Sequence, residues 1–201
     1  MSAVSVSRET EQKFSTYLAL LNKWQPKVNL VGPDTLVDAR SRHFADSAQL
    51  EPLVPATAKT LHDWGSGAGF PGLILAMMRP ELKITLVESD QRKCAFLRTV
   101  SRETKTPVTI RDERIEDITP VFIDIISARA LAPLKDLLRM ALPWAEANPA
   151  LILLLPKGEN ANTEIAEAQK KYSFDLAKYP SKTASGAVIL GITGLCISKA
   201  A

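Results

Sequence analysis

Leu61-His62-Asp63-Trp64-Gly65-Ser66-Gly67-Ala68-Gly69-Phe70-Pro71-Gly72 is the stretch on which the reading of this chain turns. It follows a strand expected over Thr60–Trp64 and opens a helix expected over Leu73–Met78. Gly65, Gly67, Gly69 and Gly72 let the backbone bend sharply and let a ligand approach it closely, because a Cβ there would collide with the ligand or strain φ. A strand, a glycine loop and a helix in that order form the ligand-binding corner of an open α/β sheet.

Working outward, short β-rich runs alternate with helical ones. Strands are expected over Thr60–Trp64, Lys83–Glu88, Val108–Arg111, Phe122–Ser127 and Leu151–Leu155, with helices over Leu73–Met78, Gln91–Thr104, Pro133–Ala145 and Ala161–Lys171. That alternation predicts a mostly parallel sheet with crossover helices on both faces. Tyr172–Tyr179 and Ala187–Ser198, joined by the Ser/Gly-containing Ser181–Gly186, have no helix between them and predict a closing antiparallel hairpin. Toward the N-terminus, Phe14, Tyr17, Leu18, Leu21 and Trp24 lie at helical spacing behind a Ser7 cap, with Glu9 and Glu11 suited to the dipole. A second helix is expected from an Asp34 cap through Leu36, Phe44 and Leu50, ended by Pro52 and Pro55. The division expected is a helical extension over residues 1–58 and one compact α/β core over residues 59–201.

Composition bounds the rest. The chain has 201 residues, 46% of them hydrophobic, which suffices for one well-buried core. A net charge of +3 is too small by itself to imply a nucleic-acid partner. Cys94 and Cys196 are the only cysteines; no disulfide framework is needed, and both are expected to be core thiols of a cytoplasmic protein. The longest strongly apolar stretch, Ala150–Leu155, is far too short to span a bilayer, and Met1–Ser7 lacks a secretory core, so neither membrane nor export is expected.

The loop admits two registers. From Gly65 it reads as an acid followed by Gly-x-Gly-x-Gly, the pattern of methyltransferases; from Gly67 it reads as Gly-x-Gly-x-x-Gly, the dinucleotide fingerprint of oxidoreductases. Asp63 favours the first, since a carboxylate at the strand end can hold the ammonium of a methionine moiety and would repel a pyrophosphate. The lesser alternative is a simple turn or cap aspartate. Glu88 ends the second strand, 19 positions after Gly69, where both cofactor classes place a carboxylate on ribose hydroxyls.

Beyond the loop, much of the chain resembles the bacterial guanine-N7 methyltransferases of small-subunit ribosomal RNA, the glucose-inhibited division protein B family. The resemblance is carried by Trp24 with Val28-Asn29-Leu30, Arg42-His43-Phe44-Ala45-Asp46-Ser47, Asp63 through Pro71-Gly72, and Glu88-Ser89 with Lys93 and Phe96-Leu97-Arg98. It continues in Arg114-Ile115-Glu116, Ser127-Ala128-Arg129-Ala130 and Pro156-Lys157-Gly158. Trp64 departs from the smaller aliphatic residue that the family pattern leads one to expect, a matter of local packing. The resemblance implies a Rossmann-like class I S-adenosylmethionine-dependent methyltransferase fold. It also implies cofactor contacts from Gly65, Phe70, Glu88, Ile115, Glu116 and Arg129, beside those the loop itself suggests for Asp63, Gly67 and Gly69. S-adenosyl-L-methionine is the implied cofactor, and 16S ribosomal RNA or a small-subunit precursor the implied partner of a monomer that uses no metal.

The residues constrain the chemistry further. Methylation of an exocyclic amine usually accompanies an Asn/Asp-Pro-Pro-aromatic string after the fourth strand, where this chain has Ser127-Ala128-Arg129-Ala130, and pyrimidine C5 chemistry needs a cysteine nucleophile that neither thiol is placed to supply. Guanine N7 has an in-plane lone pair and no proton, so it needs alignment and no general base. Arg129 and Lys157, at carboxyl ends of strands, and His43, on the substrate side by resemblance, are the candidates to orient the substrate. His43 and Asp46 are close enough on one helix for imidazole and carboxylate to interact. Tyr17 and Trp24 are expected to be core.

Phosphate contacts are expected from Lys27, Arg40 and Arg42 or, better, from Arg92, Lys93, Arg98, Arg102 and Lys105 along one helix. Residues 1–58 balance six basic against six acidic side chains. A nicotinamide or flavin oxidoreductase and a non-catalytic assembly factor stay open as rivals at this level. Glu88→Ala is expected to weaken binding of S-adenosylmethionine by ~1–3 kcal/mol through lost ribose hydrogen bonds; unchanged affinity in calorimetry would remove Glu88 from the site.

Overall fold

The computed structural model describes residues 6–198; the outermost parts of both expected segments, 1–5 and 199–201, lie outside the described residues. The chain opens with α1 (Arg8–Trp24), whose N-terminus is capped as expected: the Ser7 hydroxyl accepts the Thr10 N–H at 3.1 Å, and Glu9 and Glu11 occupy the first turn. Its inner stripe is Thr10, Phe14, Tyr17 and Leu21. Then α2 (Pro33–Leu36) and a π-helical stretch, Arg40–Ala45, lead into α3 (Asp46–Ala48).

From there the order is β1 (Thr60–Trp64), α4 (Gly72–Met78), β2 (Lys83–Val87), α5 (Gln91–Glu103), β3 (Thr109–Arg111), β4 (Ile125–Ala128), α6 (Leu134–Ala147), β5 (Ile152–Lys157), α7 (Ala161–Gln169), β6 (Tyr172–Pro180) and β7 (Val188–Ile197). The seven strands lie in the order β3-β2-β1-β4-β5-β7-β6, the first five parallel and β7 antiparallel to both its neighbours. The winding direction reverses between β1 and β4, and an open α/β sheet binds ligands at the carboxyl ends of the strands beside such a reversal. All four residues of β4 are buried, as a parallel strand covered on both faces requires. One apolar cluster joins α1 and the N-terminal segment to α4, α5 and the sheet, while a second, around Trp64 and Trp144, lies under α6 and α7.

Three expectations are corrected. The second helix does not start at an Asp34 cap or run unbroken to Leu50: Gly32 is the cap, Pro33 takes the first helical position where its missing N–H costs nothing, and the winding becomes π over Arg40–Ala45. Ala39 and Phe44 are both buried and five positions apart, a spacing that one α-helical stripe cannot turn to a single side and a π turn can. The fourth strand starts at Ile125 and not at Phe122. Val121 and Phe122 are exposed, and the Asp124 carboxylate accepts the N–H groups of Lys59 and Thr60 at 2.8 and 2.9 Å, fastening the start of β1. Cys196 is exposed, because β5 ends its pairing with β7 at Ile192 and the rest of β7 overhangs; Cys94 is buried as expected.

Gly72, at the first position of α4, has no room for a side chain: a Cβ would press on Leu86 and lie 2.8 Å from Asp63 Oδ2. Gly72→Ala is therefore expected to destabilise the protein by ~1–3 kcal/mol through overpacking. Denaturant unfolding measures it, and an unchanged midpoint would refute the packing.

Candidate active site

Beneath the glycine loop, Asp63 is fully buried at the end of β1. Its Oδ2 accepts the Gly72 N–H at 3.2 Å and its Oδ1 the Ser127 hydroxyl at 2.8 Å. Burial raises its pKa from 3.8 to about 6, against the lowering effect of the Ser127 and Ser66 side chains, the Gly72 N–H and the Arg129 charge. Asp63 thus faces the protein, and the expected contact with a cofactor ammonium is replaced in this structure by anchorage of α4 and β4.

The loop crosses above it with Gly65 at φ +62° and Gly67 at φ +56°, the left-handed region where glycine is favoured. The Gly67 N–H donates to Glu88 Oε2 at 2.8 Å, while Glu88 Oε1 accepts the Asp90 N–H at 2.8 Å. Asp90 in turn caps α5 by accepting the N–H groups of Arg92 and Lys93. Glu88 is thus held rigidly at the strand end with further lone pairs on both oxygens.

A cavity of about 560 Å³ opens on this face of the loop. Gly65, Gly67, Glu88, Ile115 and Glu116 line it, together with residues that sequence reasoning did not single out: Leu131, Asp136, Arg139 and Met140 from the β4–α6 connection and α6. A Cβ on Gly67 would meet nothing closer than Gly65 O at 3.8 Å, so the loop presents bare backbone to open space, as a cofactor cradle must. The fit to S-adenosylmethionine is good: a bare loop, a strand-end carboxylate for ribose and an apolar flank at Ile115 and Met140. Gly69 and Gly72 do not belong to this surface. A Cβ on Gly69 would strike Leu73 and Tyr17, and one on Gly72 would strike Leu86 and Asp63, so the dinucleotide register turns its last two glycines into the protein. Phe70, also expected at the cofactor, is buried between Tyr17 and His43, with ring centroids 5.2 Å from each.

On the other side of Ala130, Leu131 and Ala132 lies a second cavity of about 730 Å³, and those three residues line both. It collects the three candidate orienting residues, His43, Arg129 and Lys157, from the N-terminal segment, the residue after β4 and the end of β5. The Arg129 guanidinium lies 5.1 Å from the centre of the Phe70 ring and donates to Asp46 Oδ2 at 3.1 Å, placing it in this cavity and not in the cofactor cleft. Lys157 Nζ donates to Ala132 O and to Glu164 Oε2, both at 2.8 Å, and Glu164 Oε2 also accepts the Leu134 N–H at the start of α6. It is a clamp on the wall between the cavities.

The anticipated His43–Asp46 interaction is through charge and not through a hydrogen bond: Asp46 acts to raise the His43 pKa but bonds to Arg129, and His43 Nε2 pairs with Thr35 Oγ1 at 2.9 Å. Burial, and then the Arg129 charge, lower the His43 pKa to about 4, so the ring is neutral at pH 7. Tyr17 is core, with its hydroxyl donating to Ala68 O. Along α5, the expected phosphate-binding arginines are paired: Arg92 with Asp90, Arg98 with Asp112 and Arg102 with Glu103.

The doubly wound sheet, its glycine loop and the cleft above them define a Rossmann-like, class I S-adenosylmethionine-dependent methyltransferase. Solved structures share the fold. A putative O-methyltransferase from Klebsiella pneumoniae superposes with a TM-score of 0.61 at 12% identity, covering 95% of this chain and 92% of that one. A tRNA (uracil-54, C5)-methyltransferase from Pyrococcus abyssi, solved in complex with S-adenosyl-L-homocysteine, gives 0.52 at 14% identity, covering 75% and 37%. Among sequences, the ribosomal RNA small subunit methyltransferase G of Paramagnetospirillum magneticum is 50% identical over 187 residues, 92% of this chain and 89% of that protein. Its counterpart from Rhodospirillum centenum is 46% identical over 190 residues, covering 94% and 86%. The model of the rRNA small subunit methyltransferase G family matches residues 10–188, and the chain belongs to that family.

An acid whose pKa is raised on folding binds its proton more tightly in the folded state. The stability linked to Asp63 is therefore full below its ordinary 3.8 and lost as pH rises through about 6. Asp63→Asn can keep both hydrogen bonds, so its unfolding free energy is expected to fall less between those two pH values than that of the parent. Identical slopes in denaturant titrations across that window would refute the assignment.

Proposed function

We propose that the protein transfers the methyl group of S-adenosylmethionine to N7 of a guanine in 16S ribosomal RNA, by direct in-line transfer without a general base. One observation carries the reading: the cradle of Gly65, Gly67 and Glu88 and the cavity of His43 and Arg129 meet at a common wall, Ala130–Ala132. A group seated in the first and a base seated in the second would meet over that shared edge.

When bound, the cofactor supplies an electrophilic methyl group on a sulfonium. The chain's own residues do the rest by placement. Gly65 and Gly67 offer backbone to the methionine end of the cleft, Glu88 accepts from ribose hydroxyls, and Ile115 with Glu116 borders the adenine. Arg129 holds a base or phosphate oxygen on the substrate side, with Phe70 beneath it. His43 is neutral at pH 7 and contributes shape and a ring edge, while Lys157 keeps the wall in place through Ala132. N7 carries no proton, so alignment and exclusion of water are the whole of what the site must provide, and proximity of this kind lowers barriers by up to ~7–11 kcal/mol in the best intramolecular cases.

The N-terminal segment to residue 58 then serves as the substrate-side wall of a single compact unit, since its Phe14, Tyr17, Phe44 and Leu50 share one apolar cluster with Phe70 and Leu73. No helix among the described residues is long and apolar enough to cross a membrane. A cytoplasmic monomer that meets the small subunit or its precursor completes the reading.

Small subunits from a strain lacking this protein, incubated with the purified chain and methyl-labelled cofactor and then digested to nucleosides, are expected to yield label in 7-methylguanosine. Label on an adenine amine or a pyrimidine carbon would overturn the site chemistry. Binding of subunits without any transfer would leave a non-catalytic assembly factor.

A further inference from the structure

Three segments far apart in the chain converge on one carboxylate at the second cavity. Asp46, in α3, accepts the Thr183 hydroxyl at 2.7 Å and the Gln49 amide at 2.8 Å on Oδ1, and the Arg129 guanidinium at 3.1 Å on Oδ2. Gln49, one turn on and 7% exposed, accepts the Lys182 N–H at 2.8 Å and directs its amide toward the hydroxyls of Ser181 and Thr183, each at 3.3 Å. The turn of the β6–β7 hairpin is thereby stapled to the N-terminal segment, and its Thr183, Ala184 and Ala187 line the same cavity as Arg129.

The arrangement exceeds what stability alone calls for. A hairpin turn at the end of a sheet needs only its own backbone bonds, and this one has them: Ser181 N–H to Ala187 O at 3.0 Å and Ala187 N–H to Ala184 O at 3.3 Å. The Asp46 and Gln49 bonds come in addition to these, and they fix where the turn lies relative to Arg129. Arg129 and Asp46 are both largely buried, with side chains 18% and 19% exposed, so the pair is only weakly screened by solvent. With one guanidinium N–H spent on Asp46 and the planar group resting over Phe70, the Arg129 fork is locked in one orientation and keeps other donors for an acceptor oxygen in the cavity.

We propose that Asp46 is a positioning residue for the RNA substrate: it sets the Arg129 fork and, with Gln49, draws the turn Ser181–Ala187 into register as the opposite wall of the substrate cavity. This rests on the reading of that cavity as the RNA side of a methyltransferase. Asp46 touches neither the glycine loop nor Glu88 and does not line the cofactor cleft, so its effect falls on RNA and spares the cofactor.

The test uses the full chain with small subunits as substrate and compares Asp46→Ala, Thr183→Ala, the double variant and Asp46→Glu. Loss of a hydrogen bond to a charged group predicts that Asp46→Ala raises KM for the subunits about tenfold, with the Kd for S-adenosylmethionine within about twofold of the parent. Asp46→Glu restores part of the loss. Thr183→Ala shows a smaller effect in the same direction, and the double variant is no worse than Asp46→Ala by more than about twofold, because both single changes break one network.

An Asp46→Ala protein that melts earlier but keeps its KM would make the network merely structural. A parallel loss of cofactor affinity would place Asp46 in the cofactor site, and full additivity with Thr183→Ala would disconnect the turn from Arg129; each outcome overturns the proposal. Should the parent bind subunits without methylating them, the functional reading fails, and subunit Kd in place of KM still decides the role of Asp46.

Discussion

The carboxylate of Asp63, buried under the glycine loop, is the constraint from which the rest of the site follows. It ends β1, receives the first N–H of α4 through Gly72 and holds β4 through Ser127, so one side chain joins the three elements that frame the reversal of strand order. Burying a carboxylate is costly unless it is well hydrogen-bonded, and its pKa is displaced upward because burial outweighs the Ser127, Ser66 and Gly72 donors and the Arg129 charge. The strain-free glycines at 65 and 67 can cross over it because the helix behind them is fastened at its start. Glu88 can then reach across from β2 to the Gly67 N–H, and the cradle takes its form from two carboxylates with different tasks, one structural below the loop and one facing the cleft.

The second organising feature is the strip Ala130–Ala132, which lines both a cleft suited to a nucleoside cofactor and a wider cavity bordered by the N-terminal segment and the hairpin turn. Leu131 lies against Gly65, close enough that a Cβ there would strike it, and Lys157 fixes the wall from behind through Ala132. His43, Arg129 and Lys157 gather on the wider side of that strip, each held by a partner from another part of the chain.

The N-terminal segment, though built from short and irregular helices, is integral to that design. Its π-helical turn keeps Phe44 buried while His43 and Asp46 are delivered to the cavity, and its apolar residues continue the cluster beneath α4 and α5 without a boundary. Structural likeness agrees with the geometry on the fold, and family membership agrees with it on the cofactor class.

By itself, the sequence determined the alternating strands and helices, the antiparallel hairpin at the end, the glycine loop and the carboxylate of Glu88. Each of these is written locally, in periodicity, in a cap such as Ser7, or in the need for glycine at a left-handed bend. Family resemblance located Ile115 and Glu116, which no local rule singles out. Only the tertiary structure decided which way each charged group faces. Asp63, read as a cofactor ligand, faces inward to Gly72 and Ser127; Arg129 lies over Phe70 and against Asp46; Lys157 holds Ala132 and Glu164; and Asp46 bonds to partners 83 and 137 positions away. Local patterning carries no information about such pairings, because they are set by strand order and register, and a buried or half-buried charge takes whichever partner the assembled sheet brings within reach.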